Sequence, residues 1–306
     1  MVMDITCELK KAIETAGHVI VYSVPYNILV LSNQIELMAN HDQVKDNMPL
    51  PWCLKVLSWN IDGLDDRCFD QRASGICSII NTHYPDVVML QEVLDEHLVI
   101  FEQFCQKYSF FPYKNSNYFN MIMLKKDINI VMIKFNPELF KNSKMDRSLL
   151  KCEILFYSHP FLIMTTHLES LSDNSVVRIE QMSSCLETIL KTSLSNFVIF
   201  AGDLNIREHE LKSINCMFAK DTCNDAWESA GKDSSKRFTW DVLLNDNKSF
   251  QGKYPRARYD RMYYRDSNKI QAIVSAFELV GTHRDKCGLF PSDHFGILVS
   301  FLLNVL

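Results

Sequence analysis

The sequence predicts an α/β protein in which two packed mixed β-sheets are flanked by helices, giving a four-layered α/β sandwich. Short apolar runs recur along the chain, such as residues 87–90 and 197–201, and continuous runs of this kind are typical of strands buried on both faces. Segments with helical periodicity lie between these runs. This alternation predicts mixed strands and helices, and it is also compatible with a single doubly wound sheet.

Each predicted strand ends in polar side chains of catalytic type. The runs at 55–59, 87–90, 161–164 and 197–201 lead into Asn60 with Asp62, Glu92, His167, and Asp203 with Asn205. Polar groups at strand ends converge at one edge of a layered α/β protein, where functional sites are usually found.

Two helices are predicted between these strands. Ile179, Met182, Leu186 and Leu190 keep to one face of residues 178–191, and a second apolar face precedes the break at residues 83–85. Apolar residues spaced three or four apart form the stripe by which a helix packs on a sheet.

The composition is that of a globular protein. The chain has 306 residues, of which 47% are hydrophobic and 23% charged, so it can build one large domain, with or without a short extension. Its formal net charge of −5 excludes a general polycation. Contact with nucleic acid therefore requires a local basic face.

The ten cysteines are scattered along the chain without a CxxC pair. Structural zinc sites normally use closely spaced ligand pairs, which argues against zinc. Scattered cysteines in a chain of this length are typical of reduced, buried thiols in a cell interior.

The first fifty residues differ from the rest. A polar stretch at 40–47 followed by Pro49 and Pro51 indicates a linker, so we expect an N-terminal extension or small helical module at 1–50 and a catalytic domain at 51–306. The apolar stretch at 19–31 is interrupted by polar residues and by proline. It falls short of the ~20 residues that span a bilayer, so no membrane association is expected.

The polar strand ends indicate a type of chemistry only as a set. Carboxylate and amide oxygens without cysteine ligands suit a hard ion such as Mg²⁺ or Mn²⁺. Histidine and carboxylates beside such an ion can hydrolyse a phosphodiester with an activated water. The sequence contains no serine nucleophile elbow, phosphate-cradling glycine loop or dinucleotide fingerprint.

Residues 54–306 resemble the endonuclease/exonuclease/phosphatase superfamily. The motifs that carry this resemblance are Ser58-Trp59-Asn60-Ile61, Leu90-Gln91-Glu92, Thr166-His167-Leu168, Gly202-Asp203-Leu204-Asn205 and Ser292-Asp293-His294. Finer motifs resemble the tyrosyl-DNA phosphodiesterase 2 family, namely Trp59-Asn60-Ile61-Asp62-Gly63-Leu64, Thr166-His167-Leu168-Glu169-Ser170, Phe238-Thr239-Trp240-Asp241 and Tyr259-Asp260-Arg261.

The resemblance implies a division of roles. Glu92 would bind Mg²⁺, for which Mn²⁺ could substitute, with Asp62 and Asp293 beside the ion or ordering its water shell. The implied catalytic residues are Asn60, His167, Asp203, Asn205, Asp260 and His294. Among them, Asp203 would deprotonate the attacking water, and the two histidines would donate to phosphate oxygens.

The implied substrate is the 5′-phosphotyrosyl bond between DNA and a trapped topoisomerase II remnant, cleaved to leave a 5′-phosphate during DNA repair. The implied partners are therefore single-stranded or frayed DNA 5′ ends and topoisomerase II remnants. Residues 251–265 interleave cations with tyrosines, a pattern that favours binding of single strands. The predicted substrate contacts are Ser170, Arg207, Trp240, Tyr118 and Arg261.

Several alternatives remain open at this point. An apurinic-site or general endonuclease would use the same metal centre, an inositol or sphingomyelin phosphodiesterase would act on small molecules or lipids, and a silent scaffold would bind without catalysis. The resemblance also implies a nuclear protein with the cytoplasm as an additional location. A degenerate ubiquitin-binding module within residues 1–50 would add ubiquitin as a partner.

Overall fold

The computed structural model of the chain describes residues 51–214 and 222–306; the predicted N-terminal extension lies outside them. The strands are β1 (Trp52–Asn60), β2 (Val87–Val93), β3 (Tyr108–Tyr113), β4 (Phe119–Lys125), β5 (Ile130–Leu139), β6 (Ser148–Phe156), β7 (His159–His167), β8 (Phe197–Asp203), β9 (Asn224–Asp225), β10 (Trp240–Asp241), β11 (Arg256–Ala257), β12 (Asp260–Arg265), β13 (Ile270–Val280) and β14 (Gly296–Val305). The helices are α1 (Phe69–His83), α2 (Asp95–Phe104), α3 (Ser175–Lys191), α4 (Glu208–Ser213) and α5 (Ala226–Ser229), with short 3₁₀ turns at Ser172–Asn174 and Ser234–Lys236.

Twelve of these strands form two six-stranded mixed sheets, and β10 and β11 form a separate antiparallel pair. The first has the order β13-β14-β1-β2-β4-β3, and the second has the order β5-β6-β7-β8-β12-β9. Each sheet contains one parallel pair, β1 with β2 and β7 with β8, among antiparallel neighbours. The single doubly wound sheet is thereby excluded.

Three apolar clusters connect the layers. The largest lies between the two sheets and includes Val56 and Met89 from the first sheet and Ile163 and Ile199 from the second. A second cluster packs α1 and α2 on the outer face of the first sheet, and a third packs α3 on the outer face of the second. The predicted four-layered sandwich is confirmed, and its layers follow the order helix, sheet, sheet, helix.

The predicted helix at 178–191 begins three residues earlier, at Ser175. Met182 and Leu186 are fully buried as predicted, but Leu190 is 52% exposed and Ile189 takes its place in the core. The buried face also includes Arg178 and Cys185, because Arg178 pairs with Glu210 (2.5 Å) and so can lie inside. The predicted face is therefore correct at Met182 and Leu186 and differs at the C-terminal end of the helix.

All eight cysteines in the described ranges are free thiols. Cys77, Cys105, Cys152 and Cys185 are buried, as expected, whereas the other four are exposed or partly exposed. Within the same ranges no helix is both long and apolar enough to cross a bilayer.

Candidate active site

The strand topology gathers the predicted residues at one edge. Because β1 and β2 are parallel, Asn60 at the end of β1 lies beside Gln91, next to Glu92. The parallel pair β7 and β8 ends in the same way, with His167 directly opposite Asp203. The carboxyl ends of two parallel pairs, one from each sheet, thus supply four of the predicted groups.

Two antiparallel strands bring further groups to this edge from the opposite chain direction. Asp260 begins β12 and is the register partner of Asp203. His294 stands two residues before β14, whose Ile297 pairs with Ser58 of β1. The start of an antiparallel strand lies at the end of its neighbour, so Asp260 and His294 meet the residues of β1 and β8.

Asp203 is the centre of this constellation and is 2% exposed. Its Oδ2 accepts from Asn60 Nδ2 (3.0 Å), and its Oδ1 accepts from the Asn205 backbone N–H (3.0 Å). His167 Nε2 and His294 Nε2 lie 3.3 and 3.8 Å from Oδ2. Burial raises the pKa of Asp203 to about 6, and the charge of His294 only partly offsets that increase. Asp203 is therefore poised to exchange a proton near neutral pH.

His167 is held in one tautomer by an arginine. Arg147 Nη1 lies 2.9 Å from His167 Nδ1, and a guanidinium can only donate, so Nδ1 accepts and the ring proton is on Nε2. Burial, Arg147 and His294 together lower the pKa of His167 well below its usual range. His167 is a neutral donor whose N–H faces Asp203.

His294 has the opposite charge state. Its Nδ1 lies 2.8 Å from Asp260 Oδ2, and Asp260 is fully buried. Burial acts against a charged ring, but the carboxylates of Asp260, Asp203 and Asp293 outweigh it and hold the pKa of His294 well above its usual range. One neutral histidine and one protonated histidine therefore face the same oxygen of Asp203.

An acidic cluster of Glu92, Asp62 and Asp293 lies next to this pair of histidines. Glu92 Oε1 is 3.9 Å from His167 Nδ1. Desolvation, then the charges of Asp293 and Asp62, raise the pKa of Glu92 to about 7, and burial with the charge of Asp293 raises that of Asp62 to about 6. Carboxylates that repel one another in this way suit a hard divalent cation, so the donor set fits the predicted metal.

The three carboxylates of this cluster differ in their hydrogen-bond and ion-pair partners. Asp293 Oδ2 accepts from Trp240 Nε1 (3.1 Å). Asp62 is held by Lys248 Nζ, 2.9 Å from its Oδ2, and by Arg72 Nη2 at 3.4 Å. Asp62 is thus near the predicted metal position, but its oxygens already have cationic partners, which suits a role in ordering the surroundings of the ion.

A second group of ligand types is formed by Asp203, Asp260 and His294, whose ligand atoms lie within 4.8 Å of one another. Here the protonated ring of His294 already links the two carboxylates. A divalent cation between them would have to displace a hydrogen-bonded imidazolium. The Glu92 cluster is therefore the better metal site.

Three residues of the site have a left-handed backbone conformation. Asp62, Glu92 and Asn205 have φ angles of 50°, 58° and 49°, which is the left-handed region that L-residues rarely adopt. Glu92 lies within the register shift between β2 and β4, which falls between Leu90 and Val93. Such conformations persist where the surrounding fold imposes them, and they cluster at functional sites.

Gly202 permits the close approach of β7 and β8 at the site. A Cβ at this position would lie 1.9 Å from the Thr166 carbonyl oxygen. A side chain there would push His167 and Asp203 apart, because each is the next residue on its strand.

Four of the predicted substrate contacts border the site. Ser170 accepts from Arg147 Nη2 (2.8 Å), and Tyr118 lies beneath the same guanidinium at 5.4 Å. Trp240 holds Asp293, and its ring packs at 5.7 Å from that of Tyr259. Arg207 is partly exposed, with its guanidinium 5.8 Å from the ring of Tyr259. All four side chains are at least partly exposed.

Arg261 does not fit its predicted role. It is 3% exposed and forms ion pairs with Glu208 (3.1 Å) and Asp225 (3.8 Å). Arg258 is likewise buried against Asp225, and Arg265 is buried while donating to backbone carbonyls such as Ile189 O (2.6 Å). The basic and aromatic segment at 251–265 therefore turns three of its cations inward, and Arg261 connects β12 to the start of α4 and to β9.

Two functional candidates escaped the sequence analysis. Arg147 is buried and fixes both His167 and Ser170, and Lys248 reaches into the acidic cluster. Neither belongs to a strand-end motif. A lone cation at the start of an apolar run, as at Arg147, is the only signal that the sequence offered.

Comparison with known proteins agrees with this geometry. The Endonuclease/Exonuclease/phosphatase family matches residues 57–294. Tyrosyl-DNA phosphodiesterase 2 of Rattus norvegicus is 36% identical over 255 residues, which cover 82% of this chain and 67% of the rat protein.

Solved structures give the same relationship. The crystal structure of Danio rerio tyrosyl-DNA phosphodiesterase 2 with a single-strand DNA product has a TM-score of 0.78 and 33% identity, over 81% of this chain and 98% of the other. The Caenorhabditis elegans enzyme has a TM-score of 0.74 and 30% identity, over 96% of this chain and 84% of the other. The chain therefore belongs to the endonuclease/exonuclease/phosphatase family, and within that family to the tyrosyl-DNA phosphodiesterase 2 branch.

Proposed function

We propose that this protein hydrolyses the 5′-phosphotyrosyl bond between DNA and a trapped topoisomerase II remnant and leaves a 5′-phosphate, with Mg²⁺ as the cofactor. The observation that carries the proposal is the buried Asp203 carboxylate, fixed by Asn60 and Asn205 between a neutral and a protonated histidine. The rat and zebrafish relatives named as tyrosyl-DNA phosphodiesterase 2 support the substrate class.

In the proposed reaction Asp203 accepts the proton of a water molecule whose oxygen attacks phosphorus. Asn60 and Asn205 keep the carboxylate in place, so the water approaches from one direction. The bond from phosphorus to the tyrosine oxygen breaks, and the phenolate leaves with the electron pair. A phenol has a pKa of about 10, so this leaving group departs more readily than a sugar alkoxide. Because water itself attacks phosphorus, the proposed reaction has no covalent enzyme intermediate.

The two histidines stabilise the phosphate in different ways. His294, kept protonated by Asp260, brings a positive charge, and neutral His167 donates a hydrogen bond from Nε2. Donors fixed before the reaction stabilise charge that develops in the transition state. A divalent cation bound by Glu92 and Asp293 would neutralise charge on the phosphate oxygens, and Asp62 would order its surroundings.

The function is tested by cleavage of single-stranded DNA with a 5′-phosphotyrosine, in the presence of Mg²⁺ or a chelator. Abasic and unmodified strands serve as controls. Metal-dependent release of tyrosine that leaves a 5′-phosphate, with both controls intact, is the expected result. Cleavage of a control strand instead would place the protein among general or apurinic-site nucleases, and no cleavage of any strand would indicate a scaffold.

Substrates of this kind arise on chromosomal DNA, so we propose a nuclear location with the cytoplasm as an additional one. A fluorescently tagged chain confined to the cytoplasm would contradict this location without affecting the proposed chemistry. Ubiquitin as a partner depends on residues 1–50 and remains a separate prediction.

A further inference from the structure

Lys248 occupies a position that resembles a cation site. Its Nζ lies 3.1 and 2.9 Å from the two oxygens of Asp62, and 3.0 Å from Asp65 Oδ2. Three carboxylate oxygens from two residues thus surround one ammonium group. Both carboxylates are well shielded, with side chains 7% and 6% exposed. Water therefore cannot readily replace the ammonium of Lys248 as their partner.

This contact divides the acidic cluster, together with the neighbouring Asp65, into two parts. On one side Asp62 and Asp65 have Lys248, Arg72 and Arg67 as cationic partners. On the other side, among the described residues, Glu92 lies 3.9 Å from the neutral ring of His167, and Asp293 lies 4.0 Å from protonated His294. Positive charge is therefore supplied by the protein on the Asp62 side and is deficient on the Glu92 side.

We infer that Lys248 is a positioning residue that takes the place of a second metal ion and confines a single divalent cation to the Glu92 and Asp293 side. This inference rests on the proposed metal dependence. Lys248 lies seven residues after Asp241 on the segment between β10 and β11, so the chain itself brings the charge into the cluster. An ion on the Asp62 side would meet both a filled position and an ammonium within about 3 Å, where like charges repel strongly.

The test is a titration with Mn²⁺, which stands in for Mg²⁺. Ion binding is monitored by calorimetry and by the loss of the electron paramagnetic resonance signal of free Mn²⁺. The wild-type protein is expected to bind one ion. Lys248→Met should bind two, because the oxygens of Asp62 and Asp65 then surround an open position. Lys248→Arg, which keeps the charge, should bind one. Lys191→Met is the matched control, since this exposed lysine pairs with Glu187 on α3, and it should also bind one.

Two results would overturn the inference: a wild-type protein that binds two ions or none, or a Lys248→Met variant that still binds a single ion while its thermal unfolding shows that it is folded. If Lys248→Met does not fold, Lys248→Gln is titrated in its place, and the same numbers of bound ions decide the outcome. The cleavage assay separates this result from the proposed function. If the wild-type protein binds one ion but does not cleave 5′-phosphotyrosyl DNA, the role of Lys248 stands and the proposed function fails. If the wild-type protein cleaves this DNA but binds two ions, the role of Lys248 fails and the proposed function stands.

Discussion

Asp260 Oδ2 lies 2.8 Å from His294 Nδ1, and both residues are buried at the edge where the two sheets meet. The second oxygen of Asp260 has no hydrogen-bond partner within the described residues. The carboxylate is thus dedicated to one imidazole, whose charge it sustains against burial.

Asp260→Asn should remove that charge from His294 at neutral pH. The pKa of His294 is raised in the folded protein, so the protonated ring persists well above its usual range and is lost as pH rises. In the variant this loss should occur at lower pH. The measurement is kcat/KM against pH, in which the alkaline limb should move toward neutrality. An unchanged limb would show that His294 does not act as a cation.

Asp203→Asn should lower kcat by about 10²–10⁴-fold, the usual contribution of a general base, while single-stranded DNA still binds. The wild-type rate should also fall as pH drops through about 6, where the carboxylate gains a proton. Single-turnover cleavage and fluorescence anisotropy measure the two quantities. A variant that retains more than a tenth of the rate would identify another group as the base.

Glu92→Gln should weaken divalent cation binding by at least about tenfold, since it removes a charged oxygen ligand. Glu96→Gln is the control, because Glu96 is exposed on the first turn of α2 and should leave binding unchanged. Calorimetric titration with Mn²⁺ gives both affinities. Equal affinities in the two variants would remove Glu92 from the metal site.

Arg261→Met should lower stability, whereas Arg207→Met should weaken substrate binding. Loss of the buried Arg261 removes one partner of Glu208, which is 59% exposed, and one of the two arginine partners of Asp225, and it should cost about 0.5–3 kcal/mol of stability. Loss of the partly exposed Arg207 should raise KM with little change in stability. Urea unfolding and steady-state kinetics separate the two. A raised KM for a stably folded Arg261→Met would instead support the predicted contact of Arg261 with substrate.

His97 should make the fold sensitive to acid. It is buried against Phe69 and Phe101, and burial followed by the charge of Arg72 lowers its pKa to about 3. Between its ordinary pKa of 6.5 and about 3, only the unfolded chain binds this proton, so stability falls as pH falls, by up to about 1.4 kcal/mol per unit.

His97→Gln should preserve the bond that His97 Nδ1 accepts from the Leu94 N–H, since glutamine suits this third position of the helix. The difference in unfolding free energy between wild type and variant should therefore shrink from pH 7 to pH 4. Urea unfolding at each pH checks this, and parallel curves for the two proteins would contradict it.

The sequence predicts the strand ends well because strands buried on both faces are apolar until they reach the site. Asn60, Glu92, His167 and Asp203 break that pattern, and the structure brings them together as expected. The same rule explains the failure at β12. All six of its residues are buried, so its cations lie inside with partners that are distant in sequence, such as Asp225 for Arg261.

Arg147 and Lys248 were missed for a related reason. Their importance depends on which residue lies opposite, and neither His167 nor Asp62 is near them in sequence. The protonation of the two histidines could not be read from the sequence either. It results from burial and from the particular neighbours, Arg147 in one case and Asp260 in the other.

The inward orientation of Arg258, Arg261 and Arg265 has a consequence for how ionic strength acts on the protein. A cation that already faces a carboxylate or carbonyl inside the fold displaces no counterions from a nucleic acid strand. Each phosphate contact on a single strand adds about 0.7 to the slope of log affinity against log salt concentration. The slope of log affinity against log salt concentration should therefore be less steep by about 2 than if all three arginines faced the strand. The complex should persist at salt concentrations that dissociate a more basic nuclease from DNA.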